Sequence, residues 1–415
     1  MAYSIKAMEH YQTELSSIRG AGLFKEERSI KSPQAASIMV EYPPGAPIKT
    51  VLNFCANNYL GLSSHPDVIA AAHRGLDERG YGMSSVRFIC GTQDIHRELE
   101  KKLSEFLEME DTLLFPSCME ANAALFEVML DKDDAMIADR LVHASIVDGM
   151  RLAKAQLYNF KHSDMAHLEE KLQETQHCRF RLIITDGVFS MDGDIVKLDK
   201  ICELAEKYDA MVMVDDSHAT GFIGVRGKGT HEHCGVIDKI DVITTTLGKA
   251  LGGAAGGCVS GKKEIIEMCR QRARPYLFSN AVPPVVIQAA ITILDILSKS
   301  TERRDKLEWN TKYYREKMVA AGLDIKKGES PIVPVMLYNA KLAQDIAREL
   351  YAEGIYVVGF FFPVVPQGQA RIRTQISADH EKEHLDKAVE AFTKVGEKYK
   401  ILGKKKDEII AMYGM

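Results

Sequence analysis

Between Val51 and Pro284, five short and nearly continuous apolar runs alternate with stretches of helical periodicity, and no other feature of the chain constrains its fold as tightly. The runs are DTLLFP (111–116), AMIAD (135–139), RLIITD (181–186), AMVMVDD (210–216) and DVITTT (241–246). A strand that is apolar on both faces must be covered on both, as parallel strands are when crossover helices join them. The expected fold class is α/β, with a mainly parallel sheet and functional groups gathered at the carboxyl ends of its strands. Asp139, Asp186 and Asp215 stand at such ends.

The flanks read differently. Residues up to about Ser29 have the pattern of a polar, weakly amphipathic helix, and Ser32 to Pro47 reads as a proline-containing connector. Residues 1–50 are therefore expected to form an appended arm and 51–284 the large α/β domain. Beyond Pro284 one long helical stretch, to about Gly322, leads into IVPVMLY, a helix from Lys341, IYVVG, ARIRTQ and a last helix near His380 to Tyr399. Residues 285–415 are expected to form a smaller α+β domain.

Acidic and basic residues, 58 and 53 of 415, are interspersed and leave a net charge of −5, which gives no electrostatic case for a nucleic-acid or membrane partner. The eight cysteines include no C-x-x-C pair and suit a reduced compartment. The first residues lack a secretory apolar region, Glu9 and Glu14 do not fit an organelle transit peptide, and no apolar stretch approaches the length of a membrane span. A cytoplasmic location is expected.

The segment TTTLGKALGGAAGG (244–257) sets Lys249 just after an apolar run, among small residues that let a ligand approach the backbone. It is not a phosphate-binding P-loop, because Ile243 and Ala250 occupy positions where that pattern needs glycine and a hydroxyl residue. AMVMVDDSHATG delivers Asp215 to the end of a buried strand, with His218 three residues on. Asp216 or Ser217 suits a helix N-cap, whereas Asp215, an ionised carboxylate close to a core, needs a cation. A pyridinium nitrogen supplies one, and the carboxylate would raise that nitrogen's pKa by roughly one to three units.

A lysine for an aldehyde and an acid for a ring nitrogen are two of the groups that pyridoxal phosphate requires, and candidates exist for the others. His143 could cover the ring and Ser190 could donate to its oxygen. Ser117, Cys118 and Met119 lie where a strand gives way to a helix, so backbone amides could bind the phosphate, with hydroxyls from Thr246 and Ser279. Each of these residues also has an ordinary role, as a cap or a turn, when taken alone.

Taken in order, SCMEAN (117–122), VHASI (142–146), DGVFSMDG (186–193), DDSHATG (215–221) and TLGKALGGA (246–254) resemble the α-oxoamine synthases, fold-type I pyridoxal-phosphate enzymes that condense an amino acid with an acyl-CoA. The blocks AGLFKEER (21–28), NFCANNYLGL (53–62), VRFICGTQ (86–93), RPYLFSN (274–280) and PVVPQGQARIRTQISA (363–378) are similar to the branch of that family that uses glycine and acetyl-CoA. The resemblance implies that Lys249 carries the cofactor as a Schiff base, Asp215 pairs with the ring nitrogen, His143 stacks on the ring, and Ser190 and His218 contact its oxygen. It implies phosphate contacts from the amides of Cys118 and Met119 and from Thr246, with Ser279 and Asn280 contributed by the neighbouring subunit of a homodimer. Met119 stands where the family usually has an aromatic residue, so its implied contact is through the amide. Arg373 would hold the substrate carboxylate, with Asn57 nearby, and Arg371 shares its strand face. The implied reaction interconverts glycine and acetyl-CoA with 2-amino-3-ketobutyrate and CoA, usually in threonine breakdown.

Three other readings stand beside this one. A metal-dependent hydrolase would use DDSH (215–218) and HEHC (231–234) as ligand clusters, but leaves Lys249 and Arg373 without roles. A non-catalytic relative would be free to lose Lys249 or Asp215, and both are present. A sister enzyme with another acyl-CoA, or with alanine or serine, differs only in pocket shape, where one methylene is worth roughly 1 to 3 kcal/mol.

Overall fold

The structure, a computed structural model, describes residues 3–20 and 23–414; Ala21 and Gly22, which open the AGLFKEER block, lie outside the described residues. After a helix at Ile5–Gly20 come three strands, β1 (Ser29–Ile30), β2 (Ser37–Glu41) and β3 (Lys49–Asn53), paired antiparallel in that order. The stretch read as a connector thus contains a strand. Ile38 and Val40 alternate with exposed Ser37 and Met39, a two-residue period too short to stand out beside the prolines.

Seven strands form the main sheet: β4 (Asp111–Phe115), β5 (Ala135–Asp139), β6 (Gln156–Phe160), β7 (Arg181–Asp186), β8 (Met211–Asp215), β9 (Val242–Thr246) and β10 (Gly257–Gly261). Their order is β4-β10-β9-β8-β7-β5-β6. The five apolar runs are β4, β5, β7, β8 and β9, and β10 alone runs opposite to the other six strands. The sheet is therefore mainly parallel, as expected, with helices such as Cys118–Met129 and Leu198–Tyr208 between its strands. The two strands without an apolar run have local reasons. QLYNF, as β6, is an edge strand with only Phe160 buried, and GCVSG, as β10, carries glycine at both ends.

The long helical stretch is two helices, Pro284–Lys299 and Glu302–Ala320, which meet at 77°. The first is apolar and packs on Pro66–Arg79 and Asp94–Leu107; the second is strongly charged and packs on Lys382–Lys398. Extended backbone at Ser300 lets the chain turn from one surface to the other. Among the described residues no single helix is long and apolar enough to cross a membrane. Strands β11 (Ile332–Tyr338), β12 (Ile355–Tyr356), β13 (Gly359–Phe360) and β14 (Ala370–Gln375) follow. IYVVG divides, because β12 joins β3 in parallel while β13 pairs with β14, itself antiparallel to β11.

The loop after β7, Gly187 to Val196, is fastened from two sides. From the main sheet, His162 gives Nδ1 to both carboxylate oxygens of Asp139, each at 3.1 Å, and Nε2 to Asp194 at 2.7 Å. From the smaller sheet, Arg371 donates to Asp192 at 2.5 Å and to Met191 O at 3.0 Å, Arg373 donates to Ser190 O at 2.8 Å, and Lys326 also pairs with Asp192. Ser330 donates to Gly193 O. Gly193 has φ of +75°, and a Cβ there would lie 2.4 Å from Ile332 O, so only glycine fits.

Burial opposes charge on His162, but the bonds and charges of Asp139 and Asp194 win and raise its pKa to about 10. A group raised on folding stabilises the protein fully below its unfolded pKa, about 6.5 here, and loses that contribution as pH rises through the folded value. We expect the unfolding free energy, measured in urea from about pH 6 to about pH 11, to show an alkaline decline that His162→Gln flattens. An unchanged alkaline slope in the variant would refute the assignment.

Candidate active site

The residues that follow β4, β5, β7, β8 and β9 meet at one edge of the main sheet, because parallel register brings Asp186 beside Asp215 and Asp215 beside Thr244. They enclose a cavity of about 230 Å³. Ten of the residues singled out in the sequence line it: Ser117, Cys118, Met119, His143, Asp186, Asp215, Ser217, His218, Thr246 and Lys249.

Asp215, 6 % exposed, is held by two donors: Asn122 Nδ2 reaches Oδ2 at 2.7 Å and Ser217 N reaches Oδ1 at 3.0 Å. No cation lies within ion-pair range of it among the described residues. Lys249 lines the same cavity, and its amine makes no hydrogen bond or ion pair among the described residues. Burial lowers its pKa, against the opposing pull of Asp215. His143 caps the helix Ala144–Leu152 by accepting at Nδ1 from Ser145 N at 3.2 Å, and lines the cavity. Burial lowers its pKa as well, against the opposing pull of Asp215. His143 N–H donates to Asp186, whose carboxyl is pushed far up, first by burial and then by the charge of Asp215.

At the start of Cys118–Met129, Ser117 Oγ accepts Glu120 N–H and Ser117 O accepts Ala121 N–H. The amides of Cys118 and Met119, in the first turn, have no acceptor within the helix, and both residues line the cavity at its positive end. The Met119 side chain is exposed. Thr246 Oγ1 accepts Gly248 N–H at 3.0 Å and bonds Gly256 O at 3.1 Å, so it shapes the lysine loop as well as lining the cavity. Glycines let β10 approach this helix, since a Cβ on Gly257 would fall 2.4 Å from Cys118 N.

Behind His218 lies a second polar group. Its Nδ1 is 2.8 Å from the hydroxyl of Tyr59. Burial, reinforced by the charges of Lys249 and Arg373, lowers the pKa of His218 far below the usual histidine range. With the Gln375 amide nitrogen toward Cys55 O and Asn57 Oδ1, its oxygen accepts from Tyr59 at 3.0 Å and from Arg373 Nη2 at 3.3 Å. Asn57 and Arg373 are thus joined to the cavity through Gln375, Tyr59 and His218. Arg373 is 9 % exposed, sits over the Phe360 ring and, among the described residues, has no carboxylate partner and leaves its Nε unbonded. Arg371, on the same strand, is spent on Asp192, which separates two arginines that the sequence leaves equivalent.

Ser190 lies in the fastened loop rather than in the cavity lining, and its carbonyl is the acceptor for Arg373. Ser279 donates to Glu120 of the same chain at 2.6 Å, Asn280 is exposed, and neither lines the cavity. Asp216 does not cap a helix after its own strand, because the chain turns there instead. Its carboxylate accepts from Thr230 N and Oγ1, at the start of the short helix Thr230–His233. In HEHC, His231 bonds Leu107 O, and among the described residues no three His, Cys, Asp or Glu side chains converge as metal ligands. Sequence reasoning missed Asn122, Ser145, Tyr59 and Gln375. The one available signal was spacing: Asn122 falls one turn beyond Cys118 on the same helix face.

The profile of the aminotransferase class I and II family matches residues 49–392. The chain belongs to that family and, within it, to the α-oxoamine synthase group. It is 54 % identical over 399 residues to the 2-amino-3-ketobutyrate coenzyme A ligase of Escherichia coli (strain K12), covering 95 % of this chain and 99 % of that one. The mitochondrial enzyme of the same name from Bos taurus is 54 % identical, with 93 % and 91 % covered, and an 8-amino-7-oxononanoate synthase of Thermosipho melanesiensis is 44 % identical, with 94 % and 98 % covered. Among solved structures, Sphingomonas wittichii serine palmitoyltransferase superposes with a TM-score of 0.88 at 27 % identity, covering 94 % of this chain and 98 % of that one.

The closeness of β10 to the helix gives a direct test of the site's construction. Gly257→Ala forces a methyl group against the Cys118 amide, and overpacking of this kind costs about 1 to 3 kcal/mol. We expect that loss in urea denaturation together with weaker binding of inorganic phosphate to the apoprotein. Full stability in the variant would show that strand and helix separate freely.

Proposed function

We propose that this protein is a pyridoxal-phosphate-dependent glycine C-acetyltransferase, interconverting glycine and acetyl-CoA with 2-amino-3-ketobutyrate and CoA in threonine degradation. The observation that carries this reading is a single cavity lined both by a lysine amine without a bonded partner and by a buried carboxylate held by two N–H donors. The residues present suit the cofactor: two first-turn helix amides for a phosphate, an imidazole in the lining for a ring, and a carboxylate that has no ion pair among the described residues.

When bound, the cofactor supplies an aldehyde that captures the amine and a protonated ring that takes up the electron pair left when Cα loses its proton. Lys249 would hold the aldehyde carbon. The lowered pKa of its amine raises the share present as a nucleophile and, once released, as a base for the Cα proton. Asp215 would keep a proton at the ring nitrogen. Cys118 and Met119 would bind the phosphate through their amides, Thr246 would add its hydroxyl, and His143 would cover one ring face. Ser190 and His218 would approach the ring oxygen, His218 with its Nδ1 side already occupied by Tyr59. Arg373 would clamp the glycine carboxylate beside Asn57, in the fork geometry that a planar guanidinium allows.

The assembly proposed is a homodimer in which Ser279 and Asn280 complete the partner's site. Its support is the exposure of Phe88, Ile89 and Phe278, large apolar residues close in sequence to Val86 and Asn280, which an antiparallel bridge brings together. A cytoplasmic location is proposed on the strength of the eight free cysteines.

Purified protein loaded with cofactor is expected to release CoA from acetyl-CoA only when glycine is added, and Lys249→Ala to abolish release. Release with pimeloyl-CoA and alanine instead would move the protein to a sister activity. Arg373→Lys is expected to raise the KM for glycine by about ten- to a hundredfold, since a lysine loses the bidentate grip. Arg371→Lys is expected to lower thermal stability and leave that KM unchanged, and the reverse pattern would exchange the two roles. In sedimentation velocity, a species of one chain at all micromolar concentrations would refute the dimer.

A further inference from the structure

Asn122 is fully buried, on a helix whose first turn borders the cavity, and its amide nitrogen donates in two directions. One bond runs to Asp215 Oδ2 at 2.7 Å and the other to Ser145 Oγ at 2.9 Å. Ser145 Oγ lies 2.7 Å from His143 Nδ1, which also accepts from Ser145 N. Because Nδ1 accepts Ser145 N–H it carries no proton, so the serine hydroxyl, which accepts from Asn122, donates to it and the imidazole proton lies on Nε2. The amide oxygen of Asn122 has no partner. Turning the amide over would set that oxygen against the carboxylate, so the orphaned carbonyl accompanies the only orientation that serves both Asp215 and Ser145.

We infer that Asn122 is a positioning residue that ties Asp215 and His143 into one unit, keeping the carboxylate anionic beneath the cofactor's ring nitrogen and the imidazole in its Nε2–H form against the ring. The inference rests on the cofactor reading above. Without the Asn122 donor the carboxylate becomes the better base, and the proton shared with the ring nitrogen moves toward it, which weakens the ring as an electron sink. Among the described residues, the other titratable groups that interact electrostatically with Asp215 are Asp186 from β7, Cys118, His143, Lys249, Cys258 on β10 and Asp216, whose carboxylate points the other way. None of them donates a hydrogen bond to its carboxylate.

The test uses holoprotein reconstituted with cofactor labelled with ¹⁵N in the ring, and reads the ring-nitrogen resonance and the cofactor dissociation constant as well as turnover. Wild-type protein is expected to show a protonated ring nitrogen. Asn122→Ala is expected to move the resonance toward the unprotonated position, weaken cofactor binding by about ten- to a hundredfold, and lower kcat with little change in the KM for glycine. If Asn122→Ala does not fold, Ser145→Ala carries the test, because it frees the amide to rotate away from Asp215 and should move the resonance the same way by less. A ring nitrogen as protonated in the folded variants as in wild type would overturn the inference. Wild-type protein that binds no cofactor would instead overturn the reading on which it rests.

Discussion

Asp215 is a carboxylate buried at the end of a strand, and the arrangement around it is organised by the need to keep that charge tolerable. A helix supplies Asn122 and the turn after β8 supplies Ser217 N–H. The turn can form because Asp216, next in sequence, points away and is tied to Thr230 in a space left by two glycines; a Cβ on Gly187 or Gly229 would fall within 2.0 Å of its carboxylate oxygens. Adjacent acids thus part company, one facing the cavity and one facing the core. The burial of Asp216 raises its pKa to about 7, and its bonds to Thr230 act in the opposite sense.

Much of this was legible in the sequence. Continuous apolar runs marked β4, β5, β7, β8 and β9 because burial on both faces leaves no room for polar residues, and their carboxyl ends marked the edge where the site lies. What failed to show was whatever depends on a neighbour distant in sequence. GCVSG is a strand because Phe115 and Thr246 flank Gly257, not because of its own residues. Arg371 and Arg373 share a strand face, and only the loop that meets one with Asp192 and the other with a carbonyl tells them apart. Asn122 looked like a helix residue among alanines until its acceptors, from β8 and the helix after β5, were in place.

The fastened loop after β7 gives the two sheets a common mechanical element. His162 and the carboxylates of Asp139 and Asp194 hold its main-sheet side, while Arg371, Arg373 and Lys326 hold its other side. Ser190 lies between these anchors, so the position of a residue proposed to reach the cofactor is set jointly by both parts of the chain. The same loop gives Arg373 a carbonyl, a neutral acceptor that orients the guanidinium without neutralising it.

The antiparallel strand β10 carries a further consequence, for the order in which the molecule is assembled during synthesis. Strand β4 sits at the sheet's edge and reaches the other strands only through β10, which emerges from the ribosome long after it. Until residue 261 has been made, the helix start at Cys118 has no strand to fix it beside the lysine loop, so a nascent chain cannot present the anion-binding amides and Lys249 together. Arg373 comes later still, on β14. The helix amides, the lysine loop and the arginine thus come from segments made at different times, and only the chain that reaches β14 brings all three together.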